Sequence, residues 1–180
     1  MLTKDTESKS ERLLHYFFIH PTTEVHLRSL ARQLHMSPTG IQKAVAKIIK
    51  KGIVIVKKDS EKHLLLFKAN NEDPSYKALK RTFNQYQLYT SGLLNYLIES
   101  YGKPETIILF GSFAKGEDRE ESDIDIAIIT SKKLRINLSE FEKKLSRKIS
   151  IITLPKGKIE KEFLNTLANG IVLYGYLTVT

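Results

Sequence analysis

Residues 109–129, LFGSFAKGEDREESDIDIAII, decide the fold of the carboxy-terminal part of the chain. The apolar start of this stretch predicts a buried strand that runs into Gly111 and Ser112. Glycine allows a sharp backbone turn at this point, and the turn presents amide groups and a serine hydroxyl, which can bind phosphate oxygens. The stretch therefore predicts a strand that ends in a phosphate-binding turn.

Two aspartates, Asp123 and Asp125, begin the second predicted strand of the stretch. Residues two apart on a strand point to the same face, so both carboxylates face one way and Ile124 faces the other. Carboxylates held side by side repel each other, and a hard divalent cation such as Mg²⁺ removes that repulsion. The pair therefore predicts a site for Mg²⁺, or Mn²⁺, close to the Gly-Ser turn.

The combined motifs resemble the minimal nucleotidyltransferases of the DNA polymerase beta superfamily. The pattern of that superfamily is a strand, Gly-Ser, a short spacer and then Asp-x-Asp on the next strand, and the resemblance covers roughly residues 104–176. It implies a metal-dependent enzyme that transfers a nucleoside monophosphate from a nucleoside triphosphate to a hydroxyl of a protein or nucleic acid, with release of pyrophosphate.

The resemblance also implies roles for five residues of this chain. The nucleotide phosphates would be bound by Gly111, Ser112 and Lys115. The catalytic residues would be Asp123 and Asp125, which would bind the metals.

One position departs from the pattern of active relatives, which carry a third carboxylate on their third strand. The corresponding run here is residues 148–152, and the aspartate position is taken by Ser150. A hydroxyl is a poor substitute for a carboxylate that binds metal and helps to deprotonate the attacking hydroxyl. Glu120, Glu121 and Glu142 are alternative acids, although each is more simply a solvated surface charge. Besides the enzyme, the sequence therefore leaves open a weak or inactive domain that senses a nucleotide within a DNA-binding transcriptional regulator.

The first 70 residues show three helical patterns followed by two β-type runs. The predicted helices cover residues 11–19, 25–34 and 38–51, and the predicted strands cover residues 53–58 and 63–68. Thr23 is the predicted cap of the second helix, and Ser37 with Pro38 starts the third. This order resembles the winged helix-turn-helix family, in which the third helix and the hairpin contact DNA.

The positive charge is concentrated in the same segment. The formal net charge is +9, and residues 1–70 hold 13 Lys and Arg against 6 Asp and Glu, whereas residues 104–180 hold 12 against 11. A localised basic excess is typical of a phosphate-backbone binder, and it predicts contacts with DNA, or RNA, through Lys43, Lys47, Lys50 and Lys58. A merely soluble lysine-rich surface, or a module for protein contacts, remains the alternative.

The overall prediction is an α+β protein in three parts. These are a winged helix-turn-helix domain at residues 1–70, a helical linker at residues 71–103, and a small mixed-sheet nucleotidyltransferase-like domain at residues 104–180. The linker pattern is one or two helices, which join the domains, pack on the sheet or pair with a second chain in a homodimer. In the last part, the patterns predict strands at residues 106–110, 123–130 and 149–154, a short helix or loop at residues 114–119, and a helix at residues 138–148. The exposed side of that last helix is predicted to carry Lys143, Lys144, Arg147 and Lys148.

Two features that the sequence lacks exclude certain classes of protein. The chain has no cysteine, which excludes disulfides and thiolate-bound zinc. No apolar run approaches the roughly 20 residues that span a bilayer, and the polar start of the sequence lacks a signal peptide's apolar segment. The sequence therefore predicts a cytoplasmic protein that does not enter membranes.

Overall fold

The structure is a computed structural model that describes residues 8–59, 64–155, 157 and 159–178. The chain divides into two compact units, Met1–Leu79 and Lys80–Thr180. The point of division lies inside one long helix, Pro74–Ser91. The three-part division with boundaries after residues 70 and 103 stays a prediction.

The first unit contains three helices and a three-stranded antiparallel sheet. In chain order its elements are α1 Lys9–Ile19, β1 Val25–His26, α2 Leu27–Gln33, α3 Pro38–Lys50, β2 Val54–Lys58 and β3 Leu65–Ala69. The strand order is β1-β3-β2. The helices and the hairpin thus occur in the order predicted from the sequence, and their apolar sides, such as Phe17, Leu30 and Ile41, are buried.

Local sequence explains where these helices start. Ser8 and Glu11 form a reciprocal capping box at the start of α1. The side chain of Ser37 accepts a hydrogen bond from the Gly40 amide at 3.1 Å, as predicted for the start of α3. The predicted cap at Thr23 is wrong, because the residues after it pair with β3 as a short strand and α2 begins only at Leu27.

The hairpin brings Val56 opposite Phe67 in an antiparallel register. The prediction started the second strand at His63, which lies with residues 60–62 outside the described residues; β3 begins at Leu65.

The long helical segment is two helices, α4 Pro74–Ser91 and α5 Leu93–Ser100. Gly92 separates them with a φ of +84°, a left-handed conformation that glycine adopts without steric cost. Leu93 and Leu97 of α5 are fully buried in the second unit. Tyr86 of α4 is 48% exposed.

The second unit is built on a four-stranded mixed sheet. Its further elements are β4 Thr106–Phe110, α6 Gly111–Lys115, β5 Ile124–Ile129, α7 Ser139–Leu145, β6 Ile149–Leu154, α8 Lys161–Ala168 and β7 Ile171–Gly175. The strand order is β6-β5-β4-β7. Strand β5 runs parallel to β6 and antiparallel to β4. The predicted strand at 106–110 and the one at 149–154 have the predicted bounds.

Both faces of this sheet are apolar. On one face, Ile107, Leu109 and Ile126 pack with Leu97 of α5. On the other face, Ile108, Phe110, Ala127 and Ile129 pack with Leu167 of α8. Strands covered on both faces read as nearly continuous apolar runs, and this is the pattern of TIILF in β4. Within the described ranges, no helix has the length and apolarity needed to cross a bilayer.

Candidate active site

The register of β4 and β5 brings the Gly-Ser turn and the aspartates to the same end of the sheet. Phe110, the last residue of β4, lies opposite Asp125 in the antiparallel pair. The chain therefore leaves the sheet at Gly111 and Ser112 beside the point where Asp123 leads into β5. The helix α6 starts at Gly111, whereas the sequence placed a short helix or loop only from residue 114.

Gly111 lies directly against the carboxylate of Asp125. The glycine has a φ of +74°, and a Cβ atom at this position would overlap Asp125 Oδ2 and lie 3.2 Å from Asp125 Cγ. The residue must therefore be glycine for two reasons, its left-handed backbone and the close approach of the carboxylate. This contact joins the two motifs that the sequence placed on adjacent strands.

The two aspartates differ in their surroundings. Asp123 is exposed, and Asp125 is partly buried. Burial raises the pKa of Asp125, and the negative charge of Asp123 raises it further. The two carboxylates are therefore close enough to repel each other, and a bound cation would relieve that repulsion.

Ser150 lies opposite Asp125 in the parallel pair of β5 and β6. Residues that are paired on neighbouring strands point to the same face of the sheet. Ser150 is therefore the β6 residue next to Asp125 on the face to which Asp125 points. Glu142, one of the alternative acids, accepts a hydrogen bond from the Ile149 amide at 3.0 Å and so holds the start of β6. A neutral hydroxyl thus stands beside Asp125 on the third strand.

The donor set at this end of the sheet suits one Mg²⁺ ion. In the parts of the chain that the structure describes, no three or more His, Cys, Asp or Glu side chains gather to hold a metal. Mg²⁺ is usually bound by one or two carboxylates together with substrate phosphates and water. Asp123 and Asp125 fit that requirement, and Ser150 offers no charge for a second ion.

Lys115 and the predicted DNA-binding lysines are all exposed. Lys115 is the last residue of α6. In the first unit, Lys43, Lys47 and Lys50 follow the helical spacing of one exposed side of α3, and Lys58 ends β2. The structure thus leaves these ammonium groups accessible to phosphate.

The ammonium of Lys57, the residue before Lys58, forms an ion pair within the first unit. Lys57 Nζ donates to Glu24 Oε1 at 2.7 Å, and Lys68 Nζ lies 3.6 Å from the same oxygen. The hydrogen bond from Lys57 lowers the pKa of Glu24. Part of the positive charge on the hairpin is therefore neutralised within the unit.

Sequence reasoning missed a buried polar cluster formed by Lys80, Asn84, Asp118 and Arg147. Lys80 Nζ lies 3.1 Å from Asp118 Oδ1, and both side chains are 1% exposed. Arg147 Nη2 lies 3.7 Å from Asp118 Oδ2, and its side chain is 8% exposed. The prediction that Arg147 lies on the exposed side of a helix is therefore wrong, because α7 ends at Leu145 and the Arg147 side chain is buried beside Asp118. Lys80, Asn84 and Leu88 are four residues apart, so they lie on the same side of α4, and Leu88 is fully buried there. This spacing is the sequence signal that could have indicated buried positions for Lys80 and Asn84.

Comparison with protein families matches most of the second unit to a nucleotidyltransferase family model. Residues 93–176 match the family model described as Polymerase beta, Nucleotidyltransferase. A comparison with curated proteins gave no match. The matched segment contains Gly111, Ser112, both aspartates and Ser150. Over residues 93–176 the chain is therefore similar to nucleotidyltransferases of the polymerase beta type.

Proposed function

We propose that the second unit binds a nucleoside triphosphate with Mg²⁺ and transfers its nucleoside monophosphate to a hydroxyl of a protein or nucleic acid. The observation that carries the proposal is the contact between Gly111 and the Asp125 carboxylate, within a segment that matches the nucleotidyltransferase family. A triphosphate bound at the turn would have its phosphates beside both aspartates. This proximity is what phosphoryl transfer requires.

Each residue would have a distinct task in this reaction. The amides of Gly111 and Ser112, with the serine hydroxyl, would hold phosphate oxygens, and Lys115 would neutralise part of their charge. Asp123 and Asp125 would hold Mg²⁺, which supplies electrostatic stabilisation of the charge that develops on the phosphate. Positioning and electrostatics supply most of the catalysis in this class of reaction.

Incubation with each labelled nucleoside triphosphate and Mg²⁺ tests the proposal. Pyrophosphate release, or transfer of label to protein or nucleic acid, is the expected result. Nucleotide binding without any release, for all four ribonucleotides, would favour the alternative that follows.

The second candidate is a domain that binds a nucleotide without turnover and regulates the first unit. Ser150 favours this candidate, because it lies opposite Asp125 where a third carboxylate would complete the metal site. A protein of this kind would bind one Mg²⁺ ion with the nucleotide, and it would leave the nucleotide intact.

Ser150→Asp is expected to increase metal affinity and pyrophosphate release, because it adds a carboxylate beside Asp125. A gain of about tenfold or more is reasonable for an added metal ligand. The matched control is Ile152→Asp, which adds the same charge to the same strand and face but opposite Ala127. Metal titration with nucleotide, followed by a pyrophosphate assay, compares the two variants. An equal response of both variants would argue against a metal site at Ser150.

We further propose that the first unit is a winged helix-turn-helix module that binds DNA. The support is its element order, its sheet order β1-β3-β2 and the exposed lysines of α3 and β2. Binding that depends on phosphate contacts should weaken steeply as salt rises. Undetectable binding, or binding insensitive to salt, would favour a module for protein contacts.

Lys58→Gln is expected to weaken DNA binding and to reduce the slope of log K against log salt by about 1. Lys57→Gln, at the neighbouring position, is the control, because Glu24 already neutralises its ammonium. A smaller effect is expected for this variant. Fluorescence anisotropy over a range of salt concentrations measures both, and equal slopes for the two variants would contradict a specific role for Lys58.

A further inference from the structure

The buried polar cluster lies against the segment that links the two halves of the candidate site. This segment runs from α6, which begins with Gly111, to Asp123, the residue before β5. Asp118 lies in its middle and is 2% exposed, although Glu117 and Arg119 on either side are exposed. Besides the ion pair, Lys80 Nζ also donates to the backbone carbonyl of Asp118. The linking segment is thus fixed through both the side chain and the backbone of one residue.

Asn84 connects the same residue to the Gly-Ser turn. Its Nδ2 group donates to Asp118 Oδ1 at 2.7 Å and to the backbone carbonyl of Phe113 at 2.9 Å. Phe113 directly follows Ser112, and the Glu117 amide donates back to the carbonyl of Ser112 at 3.0 Å. One buried amide group therefore holds the turn and the linking segment in a fixed relation.

A gain in the free energy of unfolding is not a sufficient explanation for the presence of this cluster. Burial lowers the pKa of Lys80, and the charge of Asp118 opposes that effect. Removing ions from water has a large unfavourable desolvation term, and apolar residues of similar size are often as stabilising as a buried ion pair. The hydrogen bonds of Lys80 and Asn84 to Asp118 and Phe113 do, however, favour one arrangement of the groups that they contact.

We propose that Asn84, together with the Lys80–Asp118 pair, is a positioning device that holds the phosphate-binding turn at a fixed distance from Asp123 and Asp125. The inference rests on the proposed function of that site. Lys80 and Asn84 do not touch the nucleotide; they act through Phe113 and Asp118. Groups that orient a site from behind typically change metal affinity or activity by about 10- to 100-fold when they are removed.

Asn84→Leu tests the proposal, because it removes both hydrogen bonds and leaves the Lys80–Asp118 pair in place. The probes are ATP, GTP, CTP and UTP, each with Mg²⁺, measured by calorimetry on the full chain. For the nucleotide that the wild type binds best, the expected result is about 10- to 100-fold weaker binding. Hydrogen exchange of the amides between residues 111 and 125 should become faster. Asn84→Gln, which keeps an amide donor, should recover a large part of the binding.

Tyr76→Phe is the control for a general loss of stability. It removes a buried hydrogen bond of 2.8 Å, from Tyr76 Oη to the Phe17 carbonyl, within the first unit. This variant should lower the melting temperature and leave nucleotide binding unchanged. Asn84→Ala serves as a second variant should the leucine not fold.

The outcomes separate this inference from the proposed function. Wild-type binding that Asn84→Leu and Asn84→Ala both retain would overturn the positioning role and leave the proposed function standing. Wild-type protein that binds none of the four nucleotides would refute the proposed function, and the positioning role with it. If neither variant folds, the cluster is part of the core, and the inference is refuted.

Discussion

Gly111→Ala is expected to abolish Mg²⁺-dependent nucleotide binding, with a loss of affinity of about 100-fold or more. The added methyl group would overlap Asp125 Oδ2, so either the carboxylate or the turn must move. Both are proposed to contact the same Mg²⁺-nucleotide complex, and a displacement of about 1 Å is enough for a loss of this size. The left-handed backbone adds a strain of about 1–2 kcal/mol for any residue other than glycine.

Gly92→Ala is the matched control for this prediction. Gly92 also has a positive φ, +84°, but a Cβ atom there would meet no atom within 4 Å. Both variants therefore suffer the same kind of backbone strain, and only Gly111→Ala displaces the carboxylate. Calorimetric titration with Mg²⁺ and nucleotide, together with thermal unfolding, compares them. Equal loss of binding in both variants would mean that strain alone, and not the contact with Asp125, accounts for the effect.

Asp125→Asn is expected to abolish Mg²⁺-dependent nucleotide binding and yet to stabilise the unliganded protein slightly. The asparagine keeps the size of the side chain but loses the charge that would bind the cation. It also removes the repulsion from Asp123. Because solvent screens most of that repulsion at a partly buried group, the expected gain is below about 1 kcal/mol. Opposite effects on binding and on stability are the mark of a residue retained for function.

The same pair predicts a pH dependence of stability. Burial and the charge of Asp123 raise the pKa of Asp125 in the folded state above its value in the unfolded chain. In the interval between the two pKa values the folded state binds more protons, so the free energy of unfolding falls as pH rises through that interval. Asp125→Asn should remove this contribution. Unfolding of the wild type and the variant across acidic to neutral pH measures it, and a difference that does not change with pH would contradict the prediction.

The sequence predicted most of the second unit, because its strands are covered on both faces and their apolar runs have clear ends. Strand β4 begins after Pro104 and Glu105 and ends where Gly111 turns, and both bounds were predicted. Ser150 lies on β6 in register with Asp125, and its correspondence to the third carboxylate of active relatives stays a prediction. The roles of these site residues remain predictions.

The incorrect predictions share a physical cause. At these positions tertiary contacts, which the local sequence does not indicate, determine the structure. Thr23 has the right chemistry for a cap, but the pairing of Val25 with Phe67 takes the chain into the sheet first. Arg147 was predicted to face solvent, because an arginine is almost never fully buried unless it is paired. Its partner, Asp118, is remote in sequence from Arg147 and also from Lys80, so the helical spacing of α4 indicates the side of the helix on which Lys80 lies but not the group that it contacts.

The division of the chain within α4 has a consequence for anyone who expresses the carboxy-terminal part separately. A fragment cut to the family match would start at residue 93. It would lack Lys80, Asn84 and the fully buried Leu88, all of which pack within the second unit. The Asp118 carboxylate would then be buried without its closest cation. The shortest fragment that retains all three begins at Lys80, so the family match marks out a smaller piece than the compact unit of the structure.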